Sequence, residues 1–129
     1  MTLINFTKGI PEQSPQGKVT TWVTFANSSI VLGTIPANFF VDRINLHVHT
    51  AFNAGTTNQI SVGYTGTQEA FGTLTAVGTT GRKTVTMGSL TGLNTTGRDI
   101  TVYFTQTGST ATTGKAYVEV FLYRIPPTP

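Results

Sequence analysis

At 129 residues the chain has the length of one folded domain, enough to close a hydrophobic core without staples. Cysteine is absent, which excludes a disulfide framework, a thiolate zinc site and a cysteine nucleophile. Only 10% of residues are charged, and the net charge of +3 rests on eight scattered cations among which only Arg82 and Lys83 adjoin, so no phosphate-tracking stripe exists and no nucleic-acid partner is expected.

Residues 1 to 18 hold Gly9, Pro11, Pro15 and Gly17 without a steady period and predict an extended N-terminal arm. Met1 to Phe6 lacks a cationic start and a sustained apolar run, so neither a secretory leader nor a membrane span is expected. The first predicted strand is Val19 to Phe25, with Val19, Thr21, Val23 and Phe25 opposite Thr20, Trp22 and Thr24. Asn27-Ser28 turns the chain into a short apolar strand, Ser29 to Ile35, which Pro36-Ala37-Asn38 ends. The longest strand, Phe40 to Phe52, points Ile44, Leu46 and Val48 one way and Asn45, His47 and His49 the other. After a turn at Asn53-Ala54-Gly55, Gln59 to Tyr64 alternates again. Residues 65 to 81, with Gly66, Gly72, Gly78 and Gly81, read as a long loop holding at most a short strand at Thr73 to Val77. Lys83 to Met87, Asp99 to Gln106 and Lys115 to Arg124 are the remaining strands. The tail Ile125-Pro126-Pro127-Thr128-Pro129 cannot continue a ladder, because proline lacks the donor, and should leave as a stiff polyproline segment.

No window carries a helical apolar period. The expected fold is all-β, a jelly-roll-like antiparallel β-sandwich of roughly eight strands with little or no helix. It would comprise an arm over 1–18, a sandwich domain over 19–124 and a Pro-rich tail over 125–129. An immunoglobulin-like sandwich is the second choice, weakened because its cysteine–tryptophan–cysteine spacing cannot exist here.

Chemistry is poorly provided for. The five acids, Glu12, Asp42, Glu69, Asp99 and Glu119, stand apart from one another and from both histidines, and no G-x-S-x-G elbow occurs. His47-x-His49 puts two imidazoles on one strand face, the pattern of a metal-binding cupin. Yet Val41 and Asp42 stand where such a site wants glycine upstream, Asn53 takes the place of its glutamate, and no third histidine exists. These are expected to be solvated or interface histidines; buried at a contact, they would loosen assembly on protonation. Gly78 to Thr84 has the wrong glycine spacing for a phosphate loop and leads into a strand, so it is a turn. Neither an enzyme nor a cofactor is expected.

The last strand carries most of the functional information. Ala116, Val118, Val120 and Leu122 line one face; Tyr117, Glu119, Phe121 and Tyr123 line the other. Both faces are largely apolar, so both need cover: one from the core, the other from the arm, the 65–81 loop or another subunit. A surface poor in ions and rich in Thr, Ser, Asn and Gly is also cheap to desolvate at an interface.

The segments Ile44-Asn45-Leu46-His47-Val48-His49-Thr50-Ala51-Phe52-Asn53, Ile60-Ser61-Val62-Gly63-Tyr64, Asp99 to Phe104 and Gly114-Lys115-Ala116-Tyr117-Val118-Glu119-Val120 resemble small virion proteins of tailed bacteriophages. Those proteins share a strand–TAF–turn–strand–SVG opening and a G-x-A-x-V-x-V last strand. The resemblance, over about residues 40 to 124, is to capsid decoration (cement) proteins of jelly-roll type. It implies a structural role on the capsid surface, a major capsid protein as partner, a dimer or trimer of the chain itself, and synthesis in the host cytoplasm. It carries over no catalytic residue. Trp22, Tyr117, Phe121 and Tyr123 are the expected interface anchors, because aromatics bury large area at small entropic cost. A carbohydrate-binding fibre adhesin, with Trp22 or Tyr64 stacking on sugar, and a tail or neck component are the competing expectations.

Overall fold

A computed structural model of the chain describes residues 16–35, 39–88 and 98–124. The expected arm before residue 16, the break at 36–38, the stretch 89–97 and the tail 125–129 lie outside the described residues. The eight strands are β1 (Gln16–Thr24), β2 (Ser29–Thr34), β3 (Phe39–Thr50), β4 (Thr57–Tyr64), β5 (Thr67–Ala76), β6 (Gly81–Thr84), β7 (Asp99–Thr107) and β8 (Lys115–Arg124). No helix occurs among the described residues.

Pairing is nested and antiparallel. β1 pairs with β8, β2 with β7, β3 with β6 and β4 with β5, so the chain forms one long ribbon with its tip at Thr65-Gly66. Rolling that ribbon adds the β3–β8 and β4–β7 ladders and closes two four-stranded sheets, ordered β1-β8-β3-β6 and β2-β7-β4-β5. This is the jelly roll, and its joining of first and last strand excludes the immunoglobulin arrangement.

Period-two alternation decides which side chains meet between the sheets. From the first sheet come Val19, Val23, Val41, Ile44, Leu46, Val48, Ala116, Val118, Val120 and Leu122; the second supplies Leu32, Ile60, Val62, Ile100, Val102 and Phe104, all buried. Each large aliphatic side chain removed from water contributes about 1.5–3 kcal/mol before entropy is charged against it. At one end of the sandwich, Phe52 closes the core against Phe104, ring centroids 4.7 Å apart.

Three expectations need correction. β1 runs Gln16–Thr24 rather than Val19 to Phe25; Phe25 lies past the strand and is 37% exposed. The stretch read as a 65–81 loop is mostly β5, a ten-residue strand in the second sheet. Its ladder to β4 shifts register between Ile60 and Val62 and again between Val62 and Tyr64, and Ala70, Phe71 and Gly72 are buried in succession. Such irregularities erase the alternation by which a strand is read. The strand expected at Lys83 to Met87 is β6, Gly81–Thr84, followed by a single bridge from Met87 to Gly72.

Candidate functional site on the outer face of the first sheet

With β5 in the opposite sheet, the 65–81 segment does not cover the aromatic side of β8. That side is the outer face of the first sheet, and the register brings all four expected anchors onto it. Trp22 of β1 stands opposite Tyr117 of β8, which stands opposite His47 of β3, in turn opposite Arg82 of β6. Two residues along, Thr20, Glu119, Asn45 and Thr84 form a polar row; beyond it, Phe121 stands between Lys18 and Arg43, and Tyr123 opposite Phe40.

Aromatics and cations interleave on this face. The Trp22 ring is 46% exposed and lies 5.0 Å from the Tyr117 ring, with Lys115 Nζ 4.8 Å above it and the His49 ring edge-on at 6.2 Å. Phe121 has the Arg43 guanidinium 4.2 Å from its centroid and Lys18 Nζ 5.7 Å away. Tyr123 packs on Phe40 at 5.4 Å. Tyr117, Phe121 and Tyr123 are thus half-buried, held by neighbours of their own sheet. Cation–π contact orders these long side chains while leaving their charged ends toward solvent.

Among the described residues the face has one ion pair, Lys18 Nζ to Glu119 Oε2 at 2.9 Å. Arg82 donates to Asn45 Oδ1 at 3.0 Å, and between β3 and β6 a shallow hollow of about 390 Å³ is lined by Arg43, Asn45, Arg82, Lys83 and Thr84 without a carboxylate. Lys18 and Arg43 were missed as site residues, yet a signal existed: each shares strand parity with a recognised outward residue, Lys18 with Trp22 and Arg43 with His47.

The histidines also lie on this face, exposed, with His49 Nδ1 3.1 Å from Thr50 Oγ1. A cupin site would occupy the sandwich interior, and Asn53 is used elsewhere. Its Oδ1 accepts from the Thr112 and Thr113 N–H groups at 2.7 and 2.9 Å, and its Nδ2 donates to Thr112 Oγ1 at 2.9 Å, tying two loops together. Among the described residues no three His, Asp or Glu side chains converge as metal ligands.

The second sheet holds its charges in local structure. Burial pushes the Asp99 carboxyl up, but the Thr101 hydroxyl and the Thr65 N–H and hydroxyl donate to Oδ2 and hold it below the ordinary carboxylate value. The Thr67 side-chain hydrogen bond, aided by the Arg98 charge, outweighs slight desolvation and lowers the Tyr64 phenol. Nothing in that pair of clusters arranges a nucleophile beside a base.

No family model matches the chain, and no curated protein does. Two solved structures contain similar folds. A chain of the cyanophage Pam1 capsid asymmetric unit superposes with a TM-score of 0.61 at 16% identity, over 85% of this chain and 85% of that one. A chain of the acid-stable capsid of Helicobacter pylori bacteriophage KHP30 gives 0.56 at 15% identity, over 88% of this chain and 90% of that one. At such identities the likeness shows a shared fold.

Proposed function

We propose that this chain is a structural protein of a phage virion, a decoration or cement protein that binds the outer face of the head and stabilises its lattice. The observation that carries the reading is the pairing of two features: a jelly roll matching, over most of its length, chains in two phage capsids, and a sheet face whose aromatics, Trp22 exposed and Tyr117, Phe121 and Tyr123 half-buried, have no second layer from β5. A protein that binds only the assembled lattice stabilises it by mass action, so many weak copies suffice. Trp22, Tyr117, Phe121 and Tyr123 are the anchors of that contact, with the major capsid protein as partner. The chain acts as a dimer or trimer made in the host cytoplasm.

Light scattering on the eluting protein, followed by mixing with purified heads, tests this. Phe121→Ala/Tyr123→Ala should fold and lose head binding. Unchanged occupancy of heads by the folded variant would refute the assignment of these anchors. A glycan-binding reading keeps one specific support, the 46% exposure of Trp22. A glycan array separates the two, since a cement protein should leave it blank.

A further inference from the structure

Charge is unevenly divided between the sheets. The four strands of the first hold six cations, Lys18, Arg43, Arg82, Lys83, Lys115 and Arg124, against two acids, Asp42 and Glu119; the four strands of the second hold no cation and two acids, Glu69 and Asp99. The modest net charge of the chain therefore conceals a cationic first sheet, with Lys18, Arg43, Arg82 and Lys115 on the outer face beside Trp22 and Phe121, and a faintly acidic second sheet. Of Lys18, Arg43, Arg82 and Lys115 on that face, Lys18 alone has a carboxylate partner among the described residues.

We infer that this face docks on a carboxylate-rich patch of the assembled capsid surface, with Arg43 and Arg82 receiving acidic side chains at the hollow between β3 and β6. The inference rests on the capsid-binding reading and names the chemistry of its partner. The Arg43 guanidinium is fixed over Phe121 and that of Arg82 is held by Asn45, so both planar forks are already ordered and lose little entropy on pairing with a carboxylate. Lys83 reaches back to Thr79 Oγ1 and the Thr80 carbonyl and plays a lesser part. A second copy is the wrong occupant, because a two-fold contact of this face with itself would oppose like charges. Nucleic acid is disfavoured too. Bases stack on open aromatic faces, whereas Lys18 and Arg43 crowd Phe121.

Co-sedimentation of the full chain with purified heads, from about 50 to about 500 mM salt, provides the test. Wild-type binding should weaken steadily with salt. Arg43→Gln/Arg82→Gln should bind at least about tenfold more weakly at low salt, since one charged hydrogen bond is worth about 1.5 kcal/mol or more. Arg43→Lys/Arg82→Lys, which keeps the charge but not the fork, should fall between, and thermal melts confirm that each variant folds. Head binding that ignores both salt and the glutamine pair would overturn the acidic-partner inference while leaving the capsid reading intact. No head binding at any salt would overturn both. Tighter binding to a single-stranded oligonucleotide than to heads, lost in the glutamine pair, would reassign the face to nucleic acid and overturn the inference.

Discussion

Gly114 immediately precedes β8, and its replacement by alanine is the sharpest test of how that strand is held. Its φ of +146° is one that side-chain-bearing residues rarely adopt, and a Cβ built there would lie 2.5 Å from Phe52 Cγ and 2.8 Å from Cε2. Phe52 cannot retreat freely, being 2% exposed and packed on Phe104. The backbone conformation costs an L-residue about 1–3 kcal/mol, and displacing a packed ring costs about as much again. Gly114→Ala should therefore destabilise by roughly 4 kcal/mol. With an unfolding entropy of about 2.1 cal/mol/K per residue, that lowers Tm by roughly 15 °C for a chain of this length. A calorimetric melt reads it directly. A second variant divides the two causes: Phe52→Leu in the Gly114→Ala background should restore part of the loss if ring overlap dominates. Elsewhere Gly→Ala stabilises by about 0.4–1 kcal/mol through the unfolded chain. A Tm equal to or above wild type would thus refute the reasoning about this position.

Asn53→Ala removes three hydrogen bonds joining the Ala51–Asn53 loop to Thr112 and Thr113 and should cost about 2 kcal/mol in a urea titration. A loss below about 0.5 kcal/mol would mean the loops are held by other contacts. Asp99→Asn should cost roughly 1 kcal/mol at pH 7, because Oδ2 accepts from Thr65 and Thr101 in a partly solvated place. The Asp99 carboxyl sits below its ordinary value in the folded chain, so this contribution is present above the unfolded pKa of about 3.9 and disappears as pH falls through the lower folded value. Stability curves of wild type and Asp99→Asn should converge in acid; a gap that stays constant from pH 7 down to about 2 would exclude the carboxylate as its source.

Much of this fold is legible residue by residue. The limits of β8 follow directly from alternation over Lys115–Arg124, and the inward set Ile44, Leu46 and Val48 follows from the same period in β3. β5 is hidden because register shifts against β4 break its period, and the early start of β1 because Gln16 and Gly17 lack strand character and are recruited by pairing with Tyr123 and Leu122. That pairing spans nearly the whole chain, and no local signal reports it. The motif residues that suggested a virion protein prove to be architectural. Phe52 of the TAF segment packs against Gly114 of the last-strand motif, and Gly63 of the SVG segment lies where a Cβ would strike the backbone of Gln68, 2.7 Å from its carbonyl carbon. Their resemblance therefore reports the fold.

The candidate face was legible only in part. Aromatics at alternate positions of β8 mark an outward apolar stripe, but the meeting of Trp22 with Tyr117, and of Phe121 with Lys18 and Arg43, depends on long-range register. Net charge likewise conceals the sidedness, because it is the strand order that gathers six cations onto one sheet.

Oxidative footprinting of the protein, free and bound to purified heads, measures the occupied face itself. Trp22, Tyr117, Phe121 and Tyr123 should become protected on binding while Val31 and Leu74, exposed on the second sheet at 62% and 37%, keep their free reactivity. Protection of Val31 and Leu74 with undiminished oxidation of Trp22 would place the contact on the opposite side of the sandwich and contradict the account.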